Sequence, residues 1–312
     1  MLDRCRREIT YLRLSVTDLC SLRCRYCMPA EGVKKRDHTD ICSVEELVEI
    51  ARQAAACGIT KVRLTGGEPL ARHGILEICR GISALEGIKE LCLTTNGLAL
   101  PELAGPLRAA GVDRLNVSLD TLRPERYAWM TRRGCLENVL EGLRAAADAG
   151  FAGLKLNAVL IKGFNDDEIP DFVDLTRRYP IEVRFIELMP IGAGSELEYL
   201  PSDAVLDACP ELLPASEGGV ARRYRLPEGR GLVGLIAPMS HRFCAACDRI
   251  RVTADGMLKP CLHSRREISL RGLSGEALRK AIAEGIAAKP EGHQMDMAGR
   301  SFAARDMYQI GG

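Results

Sequence analysis

Cys20, Cys24 and Cys27 fall in the pattern C-x3-C-x2-C, directly after the alternating stretch Tyr11 to Thr17. A loop leaving a strand there could turn three thiolates toward one point. Soft thiolates select zinc, copper or iron–sulfur clusters. A four-iron cluster held by three cysteines leaves one iron open to a ligand that is not protein. Zinc usually pairs C-x2-C with a distant second pair, and no such pair lies nearby. On spacing alone, zinc or unligated thiols remain open beside the cluster. Cys244, Cys247 and Cys261 form a second trio. His241 or His263 could complete a zinc-ribbon-like set there, so zinc and iron–sulfur stand level. The other seven cysteines (5, 42, 57, 79, 92, 135 and 209) are scattered, as small buried hydrophobes are.

The basic residues fall at strand spacing. Arg13 shares a face with Ser15 and Thr17, Lys61 with Arg63 and Thr65, and Arg249 with Arg251. Lys155 and Arg184 sit on the polar face of later strands. Each alone fits a solvated surface or an ion pair, and Glu182 and Glu187 are available to Arg184. Together they predict a polar lumen whose cations would be costly without an anion among them. Arginine suits phosphate, and lysine acts as a point charge.

Strands are expected at 10–17, 60–65, 89–95, 113–119, 154–161 and 181–188. The capping box Ser43-x-x-Glu46 opens a helix that ends near Gly58. Further helices are expected at 74–85, 98–110, 135–149 and 166–178. Six strand–helix units with short connections predict a parallel sheet curled into a partial barrel. Glycines and prolines punctuate 190–222, including Gly218-Gly219, which marks a boundary or excursion. A strand at 231–237, a hairpin about Ala254-Asp255-Gly256 and a helix at 275–288 follow. The expected organisation is a barrel over 1–190, a linker over 191–222 and a C-terminal region over 223–312.

The 312 residues are 46% apolar and 27% charged, with a formal net charge of +1. That balance offers no bulk field for nucleic acid or a membrane surface. No apolar run is long enough to span a bilayer. The start lacks the apolar core of a secretory signal. Thirteen cysteines, an odd number, argue against a disulfide framework. The expected setting is the reducing cytoplasm.

With Tyr26 just before its last thiol, the first trio resembles the signature of the radical S-adenosylmethionine superfamily. Gly66-Gly67-Glu68, after the second strand, resembles that superfamily's GGE motif. The whole chain resembles one family within it, the GTP cyclases of molybdenum cofactor biosynthesis. The matching segments are Arg13 to Asp18, Arg63 to Leu70, Thr94 to Gly97, Asn116 to Asp120, Lys162 to Asp166, Arg184 to Glu187, Phe243 to Arg251 and Ile310-Gly311-Gly312. Loop 29–42 departs most from the family pattern.

The resemblance implies a TIM-like partial (β/α)6 barrel with a C-terminal extension, acting as a lyase. It implies two [4Fe–4S] clusters: one on Cys20, Cys24 and Cys27, the other on Cys244, Cys247 and Cys261 with an open iron for guanine. Tyr26, Gly67, Glu68, Ser118 and Met189 would contact S-adenosyl-L-methionine. Arg13, Lys61, Arg63, Thr94, Lys155, Arg184, Arg249 and Arg251 would contact GTP. Arg13, Arg249, Arg251, Gly311 and Gly312 would act at the reacting centre. A deoxyadenosyl radical would take hydrogen from C3′ of GTP, and C3′ would close onto C8. The implied partners are a flavodoxin- or ferredoxin-type electron donor and a downstream cyclic pyranopterin monophosphate synthase, around a monomer or homodimer. Two rivals stand against this: a peptide-maturing radical enzyme with an auxiliary cluster, and a non-catalytic zinc or iron–sulfur protein.

Overall fold

The structure is a computed structural model that describes residues 1–33, 36–216, 220–293, 295 and 301–311. Its strands are β1 (Tyr11–Ser15), β2 (Lys61–Thr65), β3 (Glu90–Thr95), β4 (Arg114–Ser118), β5 (Lys155–Leu160) and β6 (Glu182–Glu187). They continue with β7 (Leu213–Ser216), β8 (Arg222–Arg225), β9 (Leu232–Ile236), β10 (Arg249–Val252), β11 (Met257–Lys259) and β12 (Ile268–Ser269). The helices are α1 (Val44–Ala56), α2 (Ile75–Ser83), α3 (Leu100–Ala109), α4 (Pro124–Thr131), α5 (Leu136–Asp148), α6 (Ile169–Arg178), α7 (Ala204–Ala208), α8 (Gly275–Ala287) and α9 (Met307–Ile310). None is long and apolar enough to cross a membrane.

β1 to β6 run parallel in chain order, which gives the expected partial (β/α)6 barrel. The period of two explains the two faces. Leu12, Leu14, Val62, Leu64, Leu115 and Val117 are fully buried against the helices. Burying each such side chain is worth about 1.5–3 kcal/mol. The intervening residues face inward and are polar. The α1 capping box forms as expected: Ser43 Oγ accepts from Glu46 N at 3.2 Å, and Glu46 Oε2 accepts from Ser43 N at 2.8 Å.

The C-terminal strands join the same sheet. β10 pairs in parallel with β1, and β9 pairs in parallel with β6. The β10–β11 hairpin forms about Ala254-Asp255-Gly256 as expected. The stretch 191–222, which the sequence marks as a boundary or excursion, carries α7 and β7, and β7 pairs with β8 at the sheet's far edge. These short elements carry little periodicity, and tertiary pairing decides them. Gly218-Gly219 lies outside the described residues. The sequence reading also missed α4. The N–H groups of Arg23 and Arg25 bond the carbonyls of Thr131 and Met130 at its end, at 2.9 and 3.0 Å. A helix too short to show periodicity therefore shapes the first thiol loop.

Candidate active site

Strand register builds the site's floor. Across β2, β1 and β10, Arg63, Arg13 and Arg251 stand in one row, and Lys61, Tyr11 and Arg249 in the row below. Arg63 Nε donates to the Tyr11 hydroxyl. Burial pushes the Tyr11 phenol up, but Arg63, Arg13 and Arg249 pull it down further, to below its ordinary value. Burial, and then the neighbouring Arg251, pulls Arg13 well below the usual arginine range. Arg251 falls to about 10 for the same reasons, with Arg249 as its charged neighbour. Both guanidiniums donate to the Gly311 carbonyl: Arg13 Nη2 at 3.1 Å and Arg251 Nη1 at 2.8 Å. Crowded buried cations of this kind favour a polyanion.

Carboxylates hold the other wall. Glu90 pairs with Lys61 and, at 2.7 Å, with Arg114. Glu182 receives Lys155 at 2.8 Å and Arg184 at 2.7 Å. Glu187 does not pair with Arg184. Its buried carboxylate accepts from Ser202 N, Met239 N and Ser240 N, each at 2.9 Å. That anchors the segment leading to the second trio. Arg63 Nη1 reaches Thr94 Oγ1 at 3.4 Å.

The first thiols occupy a loop turned by backbone bonds from Cys27 N and Met28 N to the Cys24 carbonyl, at 2.9 and 3.0 Å. Burial above all raises Cys20 to about 11 and Cys27 to about 12, and it lifts Cys24 well above its ordinary value. Thiolates there need a positive partner inside the same low-dielectric space, and iron supplies one. Asn96 Nδ2 lies 3.9 Å from Cys20 Sγ, close enough to steady it. The three-thiol donor set thus fits an iron–sulfur cluster. Gly67 N bonds Thr17 O, and Glu68 N bonds Leu19 O, both at 2.8 Å. A Cβ on Gly67 would strike the Asp18 and Leu19 carbonyls, so this close approach requires glycine. Glu68 is filled by donors of the chain itself: Leu70 N, Thr95 Oγ1 and Asn96 N. The Tyr26 hydroxyl donates to Asp120 at 2.9 Å.

In the second trio, burial pushes Cys247 up, but the Lys289 ammonium and then Arg249 leave it below its ordinary value. Lys289 Nζ stands 3.3 Å from the Cys247 sulfur. His293 N donates to Cys244 Sγ at 3.4 Å. His241 is turned away to Asp203 at 2.8 Å, and His263 Nδ1 meets Ser301 Oγ at 2.9 Å. Among the described residues, no three His, Cys, Asp or Glu side chains form a ligand set for a single metal ion.

One cavity of about 740 Å³ joins these parts, within the ~300–1,000 Å³ range of small-molecule sites. All six trio cysteines line it, as do Arg13, Tyr26, Lys61, Arg63, Gly67, Glu68, Thr94, Ser118, Lys155, Arg184, Met189, Arg249 and Arg251. Gly311 reaches it through its carbonyl, and Gly312 lies outside the described residues. Sequence reading missed Tyr11, Glu90 and Lys289. Tyr11 stands two residues before Arg13, and the strand period puts both on the same face. The others depend on cross-strand register or on a contact between distant segments.

Residues 14–176 match the model of the radical SAM superfamily, and residues 181–295 match the family described as Molybdenum Cofactor Synthesis C. A protein named GTP 3′,8-cyclase from Peptoclostridium acidaminophilum is 49% identical over 100% of this chain and 98% of its own length. Proteins of the same name from Pelotomaculum thermopropionicum and Moorella thermoacetica are 48% and 46% identical, with full coverage of both chains. The crystal structure of Streptococcus suis SuiB superposes with a TM-score of 0.62 at 15% identity, over 91% of this chain and 66% of that one. At that identity the likeness is one of fold.

Proposed function

The chain belongs to the radical S-adenosylmethionine superfamily and, within it, to the GTP 3′,8-cyclase family, and from that membership we propose that the cavity holds S-adenosylmethionine and GTP side by side. It is a radical enzyme of molybdenum cofactor biosynthesis that converts GTP to (8S)-3′,8-cyclo-7,8-dihydroguanosine 5′-triphosphate. When bound, the first cluster and S-adenosylmethionine supply one-electron cleavage chemistry that yields a hydrogen-abstracting carbon radical.

Cys20, Cys24 and Cys27 hold that cluster. Tyr26, Gly67, Glu68, Ser118 and Met189 bound the S-adenosylmethionine side. Cys244, Cys247 and Cys261 would hold a second four-iron cluster, which would anchor the guanine. Arg13, Lys61, Arg63, Thr94, Lys155, Arg184, Arg249 and Arg251 grip GTP, with guanidinium forks suited to phosphate oxygens. Closing C3′ onto C8 requires both carbons held near contact, so the main contribution of these residues is positioning. Gly311 completes the wall behind Arg13 and Arg251. A flavodoxin- or ferredoxin-type protein delivers electrons, and cyclic pyranopterin monophosphate synthase consumes the product.

The observation that carries this reading is the register that sets two rows of basic and phenolic residues between two thiol trios in one cavity. The test is anaerobic purification, iron analysis, and turnover of the reduced enzyme with GTP and S-adenosylmethionine. We expect about eight irons per chain, from two three-cysteine sites of the four-iron type, and 5′-deoxyadenosine whose formation requires GTP. Two zincs and no iron, or 5′-deoxyadenosine release indifferent to GTP, would overturn it.

A further inference from the structure

Lys289 follows α8 and is 5% exposed. A buried ammonium has three protons to place. Its Nζ donates to the Arg249 carbonyl at 2.7 Å and the Pro260 carbonyl at 3.2 Å, and the Cys247 sulfur lies 3.3 Å away. Among the described residues, none of these partners is a carboxylate. Two neutral carbonyls satisfy hydrogen bonds but do not offset a buried charge. The cysteine sulfur is the one acceptor of the three that can carry negative charge, as a thiolate ligand would.

The placement is specific. Arg249 lies two residues after Cys247, and Pro260 immediately precedes Cys261. One ammonium therefore ties the Cys247 sulfur to the backbone carbonyl just before Cys261. The segment carrying it is itself strapped down. Arg7 donates to the carbonyls of Pro290 and Glu291 at 2.7 and 2.9 Å, and to the Cys244 carbonyl at 2.7 Å.

We propose that Lys289 is a positioning residue for the second trio, setting the Cys247-to-Cys261 spacing and tuning the metal group those thiols hold through its N–H to sulfur contact. The proposal rests on the reading that the second trio holds an iron–sulfur cluster. A charge-assisted hydrogen bond to a ligand sulfur withdraws electron density and favours the reduced cluster. Lys289 should therefore hold the second cluster's midpoint potential above the value it would have without the charge.

The experiment compares Lys289→Met and Lys289→Arg with the native full chain, all purified anaerobically. Iron is counted, and redox titrations are followed by electron paramagnetic resonance. The second cluster's signal is the one absent from Cys261→Ala. We expect Lys289→Met to keep about eight irons and to shift the second midpoint downward while the first stays put. Lys289→Arg should move it back toward the native value. Loss of the second cluster in Lys289→Met with retention in Lys289→Arg also supports the role of the charge. An unmoved midpoint in Lys289→Met would overturn the proposal. So would a fall to about four irons in both variants with the first signal intact, because Lys289 would then be only a scaffold for the loop. A native chain holding about four irons would instead overturn the second-cluster reading, and this proposal with it.

Discussion

Three cations share the Glu182 carboxylate: Arg184 at 2.7 Å, Lys155 at 2.8 Å and Arg223 at 3.3 Å. Burial pushes this acid up, but Arg184 and then Lys155 outweigh it and hold the acid at about 2. Lys155 is also drawn below the usual lysine range, because burial and Arg184 outweigh its carboxylate partner Glu182. The acid's folded value lies below its ordinary 4.5, so its stabilisation is complete above that pH and is lost as pH falls toward 2. Glu182→Gln should cost about 3 kcal/mol near neutrality, the scale for breaking one side of a buried pair. Thermal melts from pH 7 to pH 3 should show the gap between variant and native closing below pH 4.5. A constant gap would remove charge as the cause. The cationic face was legible in the sequence because Arg13, Lys61, Arg63, Lys155 and Arg184 obey the strand period. The pairing of Glu90 with Lys61 was not legible, because it depends on how β3 registers on β2.

Between β12 and α9 the chain is latched by Arg305. Its guanidinium bonds Glu267 through Nε and Nη2, each at 2.8 Å, and Asp255 through Nη1 at 2.9 Å. Asp306 then caps α9, whose Tyr308 and Ile310 are buried, and Gly311 turns at φ 71° to present its carbonyl to Arg13 and Arg251. A residue with a Cβ at Gly311 would strike Thr65 Oγ1 and be strained at that φ. Releasing the latch should misplace this carbonyl without unfolding the barrel. Arg305→Ala should lower kcat at saturating GTP about 10- to 100-fold, the equivalent of one or two charged hydrogen bonds. Arg305→Lys should recover part of the loss, and protease cleavage after residue 300 should quicken in the alanine variant. Unchanged turnover would show that the tail places itself. Little of this element was legible. α9 is too short for periodicity, and Arg305 finds Glu267 and Asp255 from 38 and 50 residues away. Only the family resemblance drew attention to the terminal glycines.

At the scale of the whole molecule, the described residues form one twelve-stranded sheet that carries both parts of the chain. The central strands were legible because each is long and has two distinct faces. The placement of the outer strands was not, because β7, β8, β11 and β12 are only two to four residues long and gain stability through pairing. A fragment ending at residue 190 would strip β10 from β1 and β9 from β6, leaving two unpaired edges. We expect that fragment to collect in the insoluble fraction, and the full chain to melt in a single calorimetric transition. A soluble, cooperatively melting fragment would show that the barrel stands alone.

The pairing of β10 with β1 also orders events in time. Thr10 meets Asp248, which lies 238 residues further along the chain. During synthesis the strand–helix units can assemble in sequence as they emerge. Closure of so long a loop comes late, because its entropy must be met before any contact rewards it. Arg251 therefore reaches Arg13 only after almost everything else has folded. Half-finished chains hold Arg13 and Arg63 in place before Arg251 can join their row, so that row of guanidiniums is among the last parts of the cavity to be completed.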